Sequence, residues 1–209
     1  MKTKQVVEVI LLAVIVFICS TSLYKILGID PGSNITGYAI IGVDNYNLFT
    51  IDIGCINVKK VKDHFERIKI IHKTVKELIN FHKPNVLSIE GPYYGQNVQS
   101  MLKLGRAQGV VIAAALEYGI DVYEYAPRRV KISVTGNGRA SKEQVAGMIN
   151  NILQIKDDSL PFDATDAAAI ALCHYFSDYS SVVPKEELHF RKNKWLQFIE
   201  DNPDRIIQK

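Results

Sequence analysis

The chain has 209 residues, 47% of them hydrophobic, and a formal charge of only +3. That length holds one well-buried domain with appendages rather than two ordinary domains, and the near-balanced charge excludes a surface that is one continuous basic field for nucleic acid. Cys19, Cys55 and Cys173 are odd in number, far apart and without metal-ligand spacing, so they say little beyond making a reducing, cytoplasmic setting the simpler reading.

Lys2 and Lys4 precede an apolar run that begins at Val6, is broken only by Glu8, and ends near Leu23. A membrane span needs about 20 apolar residues, so residues 6–23 are marginal for one. Three readings stand side by side: a signal-peptide core, a short anchor giving membrane contact, or an extension upstream of the working fold. Residues 1–23 are therefore set apart from a folded domain over 24–180 and a charged, helical tail over 181–209. In that tail Leu188, Trp195, Leu196, Phe198 and Ile199 are apolar among many charges, and Pro184 suits a helix start. The tail reads as a cap on the domain or a site for a partner.

From Tyr24 the pattern is mixed α/β. The runs "YKILGID", "TGYAIIGV" and "LFTIDIGCINV", with "DNYN" between the last two, predict a three-stranded meander. The period then changes: Phe65, Ile68, Ile71, Val75, Leu78 and Ile79 fall at helical spacing and predict a helix over about Asp63 to Phe81. "NVLSIE" is a fourth, buried strand, a second helix covers about Val98 to Tyr118, and "IDVYEYA" is a fifth strand. Further helices begin near Ser141 and Asp163. Three antiparallel strands followed by alternating helices and strands imply a mixed five-stranded sheet with helices on both faces.

Asp30 ends the first strand and Glu90 the fourth, so if those strands are neighbours both carboxylates emerge at one edge of the sheet. Either acid alone is equally well an exposed turn residue. In "PFDATDAAAIALCHYF", Asp163 and Asp166 share one face of the first turn of an alanine-rich helix, with Ala167, Ile170 and Ala171 packing inward. Acids there also complement the helix dipole without any function. Gathering all four would be costly unless a cation neutralised them. Oxygen-only ligands favour Mg²⁺, with Mn²⁺ as a substitute, over zinc. Two such ions about 4 Å apart form the clamp used for in-line phosphodiester hydrolysis.

"LGIDPGSNITGYAII", "SIEGPYYGQN", "LKLGRAQGVVIAAA", "VYEYAPRRVKISVTGNGRASKEQV" and "DATDAAAIALCH" occur in an order and with gaps that resemble the RuvC crossover-junction endodeoxyribonucleases, over about Tyr24 to Ser177. The resemblance implies an RNase H-like fold, a homodimer, and Mg²⁺-dependent symmetric nicking of four-way (Holliday) junctions in recombination and repair, in the company of a branch-migration helicase. By position it makes Asp30, Glu90, Asp163 and Asp166 the metal-binding acids. It also makes Lys131 and Lys142 lysines that contact DNA and support catalysis, and gives Tyr93 the place of an aromatic wedge where phenylalanine is expected.

The residues themselves agree to different degrees. From Pro127 to Lys142 the chain carries Arg128, Arg129, Lys131, Arg139 and Lys142 without an acid, around a loop made flexible by Gly136 and Gly138. Phosphate binding and an ordinary solvated basic loop are both natural uses of such a stretch. Tyr93 offers a stacking face for an unpaired base, or is simply a packed loop aromatic. Gly105, Gly109 and Ala113 give the second helix a smooth face for another helix, and Lys103 and Arg106 flank it. Asp52 reads as a solvent-facing mid-strand acid, His64, His72, His82 and His189 as histidines without partner spacing, and His174 as a structural histidine. An ATP-binding fold of the actin and Hsp70 type, which shares a D-x-G-x-x-x-T-G phosphate loop with "DPGSNITG", needs a second domain for which this chain has no room. A nuclease for RNA–DNA hybrids and a non-catalytic junction-binding module are the nearer alternatives.

Overall fold

A computed structural model describes residues 23–44, 47–91, 97–155 and 160–182. The meander forms as expected: β1 (Tyr24–Asp30), β2 (Ile35–Asp44) and β3 (Asn47–Asn57) are antiparallel neighbours. Helix α1 (His64–His82) follows, with the Asp63 side chain accepting from the Glu66 amide as its N-cap. Then come β4 (Val86–Glu90), α2 (Val98–Glu117) and β5 (Asp121–Tyr125). The chain continues through α3 (Pro127–Thr135), α4 (Lys142–Leu153) and α5 (Phe162–Val182). The sheet order is β3-β2-β1-β4-β5, with β4 parallel to β1 and β5 parallel to β4.

Strand alternation sorts the side chains between two cores. Leu27, Ile29, Ile40, Leu87 and Ile89 pack against Ile71, Val75 and Ile79 of α1 and Ala107, Val111 and Ala114 of α2. Ile26, Ala39, Ile41 and Val86 face α3, α4 and α5. Each buried aliphatic side chain contributes about 1.5–3 kcal/mol of transfer free energy, and period-2 burial locks the register because a one-residue slip would exchange the two faces.

Three expectations change. The basic stretch after β5 is not all loop: α3 opens on Pro127 at its first turn, buries Val130 and Val134 one turn apart, and closes on Gly136 at a φ of 71°. Phe65 does not belong to the buried stripe of α1, being 70% exposed. Asp52 does not simply face solvent: its Oδ2 lies 2.9 Å from Nε2 of the buried His82, whose carbonyl accepts from Lys25 Nζ at 2.8 Å. His174 is structural as expected, buried and 2.9 Å from the Tyr125 hydroxyl through Nδ1. Among the described residues no helix is long and apolar enough to cross a membrane. The apolar segment at 1–22, Tyr93 and the tail from residue 183 lie outside the described residues.

Candidate active site

Register places the first two acids. Ile29 pairs with Ile89 across the parallel β1/β4 ladder, so Asp30 and Glu90 are the next residues on adjacent strands and share the face that looks at α5. On the same face Gly28 stands opposite Ser88. A Cβ at Gly28 would lie within 2.8 Å of Ala171 Cβ and collide with the Ala167 carbonyl, and one at Gly37 would collide with the Asp163 carbonyl. These two glycines let the backbone of α5 settle onto β1 and β2, helped by its buried alanines. The buried Ser88 hydroxyl donates to the Ile170 carbonyl at 2.8 Å and ties the helix to β4 as well. Asp163 and Asp166, in the first turns of α5, are thereby brought to the strand ends that carry Asp30 and Glu90.

The result is an open cleft of about 220 Å³ lined by Asp30, Glu90 and Asp166, by Lys131 and Lys142, and by the apolar walls of Val130, Val145 and Ile170. Asp163 stands just outside the lining, near enough for its charge to act on Asp30 and Lys142. Lys142 Nζ is 2.8 Å from Asp166 Oδ2, which holds the ammonium above its ordinary pKa. Lys131, half-buried, donates to the Ala140 carbonyl at 2.8 Å, so its ammonium is fixed beside the acids instead of swinging in solvent. Arg128 and Arg139 are exposed outside the cleft, while Arg129 stacks over the Tyr125 ring at 5.2 Å.

Burial, followed by the charges of Glu90, Asp166 and Asp163, pushes the Asp30 carboxyl up to about 8. Burial and Asp166 also raise Glu90, against a hydrogen bond from Asp30 and the charges of Lys142 and Lys131. Each of the two carboxyls thus resists ionisation beside the other, the effect expected of acids brought together on neighbouring strands. Among the described residues no trio of His, Cys, Asp or Glu already stands at ligating distance. Asp166 is engaged by Lys142, and the carboxylates repel one another. The donor set nevertheless fits a hard divalent cation: every candidate ligand is oxygen, and burial together with three neighbouring carboxylates resists the ionisation of Asp30, a cost that a cation would relieve.

Sequence reasoning missed two positioning groups. Gln108, buried on α2, donates through Nε2 to the Glu90 carbonyl at 3.1 Å, and Ser88 holds α5. Each is a polar side chain at a position whose helical or strand period calls for an apolar one, which was the available signal.

The model of the family described as Crossover junction endodeoxyribonuclease RuvC matches residues 26–174. The Cytophaga hutchinsonii protein of that name is 45% identical over 181 residues, 87% of each chain. The Bacteroides fragilis one is 44% identical over 183 residues, 87% of this chain and 95% of the relative. Among solved structures, Thermus thermophilus RuvC in complex with Holliday junction substrate superposes with a TM-score of 0.70 at 31% identity, covering 76% of this chain and 96% of that one. With its carboxylates at paired strand ends under a clamped α5, and with sequence likeness running through both cores, this chain belongs to the RuvC family of crossover junction endodeoxyribonucleases.

Proposed function

We propose that the protein resolves four-way DNA junctions by hydrolysing one phosphodiester in each of two opposed strands, and that Asp30, Glu90, Asp163 and Asp166 hold the metal that this requires. The observation that carries the reading is the carboxylate set itself: acids from β1, β4 and α5 share one cleft with two lysines. Magnesium, or manganese in its place, with two ions per site, would supply Lewis acidity, an activated water and charge relief at the leaving oxygen. Val130, Val145 and Ile170 limit water on one wall of the cleft, and Lys131, anchored on the Ala140 carbonyl, sets a fixed positive charge for a phosphate near the acids. Lys142 balances Asp166 and stands at the first turn of α4, where the capping box of Ser141 and Gln144 fixes its backbone. Arg128 and Arg139 are free to meet the backbone outside the cleft, and Tyr93 keeps the wedge role as part of the proposal.

Paired cuts call for two sites. On α2 the inward face is Ala107, Val111, Ala114 and Ala115, leaving Gly105, Gly109 and Ala113 exposed, with nothing within 4 Å of a Cβ at either glycine. Val98, Leu102 and Leu116 are exposed on the same helix, 65%, 53% and 60% respectively. A second copy packed helix to helix on this stripe supports a two-fold dimer. Replacing Gly105 and Gly109 together by leucine should leave the protomer folded, convert dimer to monomer in sedimentation, and turn paired cuts into slow single nicks; a persisting dimer would move the interface elsewhere.

Lys131→Ala is expected to weaken junction binding and flatten its salt dependence by about one in the slope of log K against log salt. An unchanged slope would show that Lys131 does not meet phosphate. The function as a whole is tested by incubating labelled four-way junction, linear duplex and RNA–DNA hybrid with the protein, in Mg²⁺ or in EDTA. Symmetric paired nicks confined to the junction and abolished by EDTA are expected. Cutting of the hybrid alone would reassign the site, and tight junction binding without cutting would make the protein a binding module.

A further inference from the structure

The sheet edge that carries the acids has a second basic flank. Pairing of Ile35 with Asn57 puts the C-terminal end of β3 at the edge where β1 ends in Asp30. The order β3-β2-β1 sets it two strands, roughly 10 Å, to one side. The basic segment of α3 and α4 starts from β5, at the opposite margin of the sheet. Between β3 and α1 runs Val58-Lys59-Lys60-Val61-Lys62, and it is built rather than loose. Val58 is buried and donates its amide to the Asn34 carbonyl at 2.9 Å, and the Val61 amide donates to the Val58 carbonyl at 3.0 Å. Arg67 donates through Nε to the Val61 carbonyl and through Nη1 to Asn34 Oδ1, fastening the segment to the loop that follows Asp30. The two valines are the anchors, and Lys59, Lys60 and Lys62 are all exposed.

The two acids that follow in the chain have partners of their own. Asp63 accepts the Glu66 amide as the cap of α1, and Glu66 pairs with Lys69 at 3.3 Å. Phe65, a few residues beyond Lys62, is an aromatic ring 70% exposed. A polyanion crossing a cluster of carboxylates is repelled at the centre and is held more strongly when positive charge flanks it on both sides. The α3–α4 segment provides only one side.

We infer that Lys59, Lys60 and Lys62 form a second phosphate-binding surface, which holds a DNA arm on the far side of the acids from the α3–α4 segment. This rests on the junction-cleaving reading of the acids. The surface makes sequence-independent backbone contacts, so it contributes to affinity and to salt dependence and takes no part in bond breaking.

The test uses the full chain carrying K59A, K60A and K62A together. Binding to a four-way junction and to a linear duplex is titrated in EDTA across a series of salt concentrations, and junction cleavage is timed in Mg²⁺ at saturating protein. The salt slope should become shallower by about 2–3 and the affinity fall about tenfold at 0.1 M salt, with the saturated cleavage rate unchanged. A slope equal to that of the parent overturns the inference and leaves the loop to a protein partner; a fall in saturated cleavage rate with an unchanged slope overturns it too. If the triple variant fails to fold, the three single variants carry the test, each expected to lower the slope by about 0.9. Because the slope is measured on any DNA the parent binds, a parent that cuts no junction would defeat the reading of the acids while leaving this measurement intact.

Discussion

Asp30→Asn should abolish strand cleavage, by about a thousandfold or more, while raising the melting temperature of the metal-free protein near pH 8. On the proposed assignment of Asp30 as a ligand, its loss would remove several kcal/mol of transition-state charge stabilisation, and each 1.36 kcal/mol is a factor of ten. The stability gain has a separate origin. The Asp30 carboxyl titrates at about 8 in the native state against 3.8 for the ordinary group, because burial and three neighbouring carboxylates resist its ionisation. Between those two pH values the native state holds a proton that the unfolded chain has released, so stability falls as pH rises from about 4 to about 8. Below that window both states are protonated; above it both are ionised and the penalty stays. Asparagine removes the penalty, and about 1 kcal/mol recovered corresponds to roughly 2–4 °C in a chain of this size. Differential scanning calorimetry of both proteins in EDTA at pH 5 and pH 8 tests the point: the gap should be small at pH 5 and open at pH 8. If Asp30 holds a cation as proposed, the cation competes with that proton, and apparent Mg²⁺ affinity should strengthen up to about pH 8 and then level off. Junction binding in EDTA should survive the substitution, because a charge that repels phosphate has been removed.

The second large effect belongs to residues without side chains. Gly28→Ala and Gly37→Ala each drive a methyl group into the backbone of α5, at the Ala167 and Asp163 carbonyls. Backbone cannot swing aside as a long side chain does, so the helix must lift. Overpacking of this kind costs about 2–3 kcal/mol, a fall of roughly 5–10 °C in melting temperature. Lifting α5 also carries Asp163 and Asp166 away from the strand ends, and a misplacement of about 1 Å in a catalytic constellation costs on the order of a hundredfold in rate. Gly147→Ala in α4, where a Cβ meets nothing within 4 Å, is the control; it should be neutral or mildly stabilising. If Gly28→Ala keeps full cleavage and an unchanged melting temperature, the close seating of α5 does not set the site.

Much of this was legible in the chain because local chemistry announced it. The strands ending in Asp30 and Glu90 stand out as apolar runs closed by an acid, Asp63 and Ser141 mark helix starts, and the glycines of α2 leave the face that the helix indeed exposes. What stayed hidden depends on partners distant in sequence. Asp52 and His82 meet through strand and helix packing, and neither carries a local sign of the other. α3 was masked by its charge: basic residues and glycines read as loop, although Pro127 with Val130 and Val134 held the helical period. Phe65 fits the apolar spacing of α1 yet lies before its buried stretch begins. The cleft itself follows from register, since only the pairing of Ile29 with Ile89 brings Asp30 level with Glu90.

That pairing makes the peptide backbone the caliper of the reaction. Adjacent strands stand about 4.8 Å apart whatever their side chains, so the ladder fixes how far apart the backbones of Asp30 and Glu90 are held. The spacing of these two acids is inherited from the hydrogen-bond ladder and not from the fit of the core. Volume-conserving changes among Leu27, Ile29, Leu87 and Ile89 should leave that dimension untouched, so the interior is free to drift while the cut stays the same. A slip of β4 by one residue would instead turn Glu90 to the opposite face and present Ile89 or Gly91 in its stead.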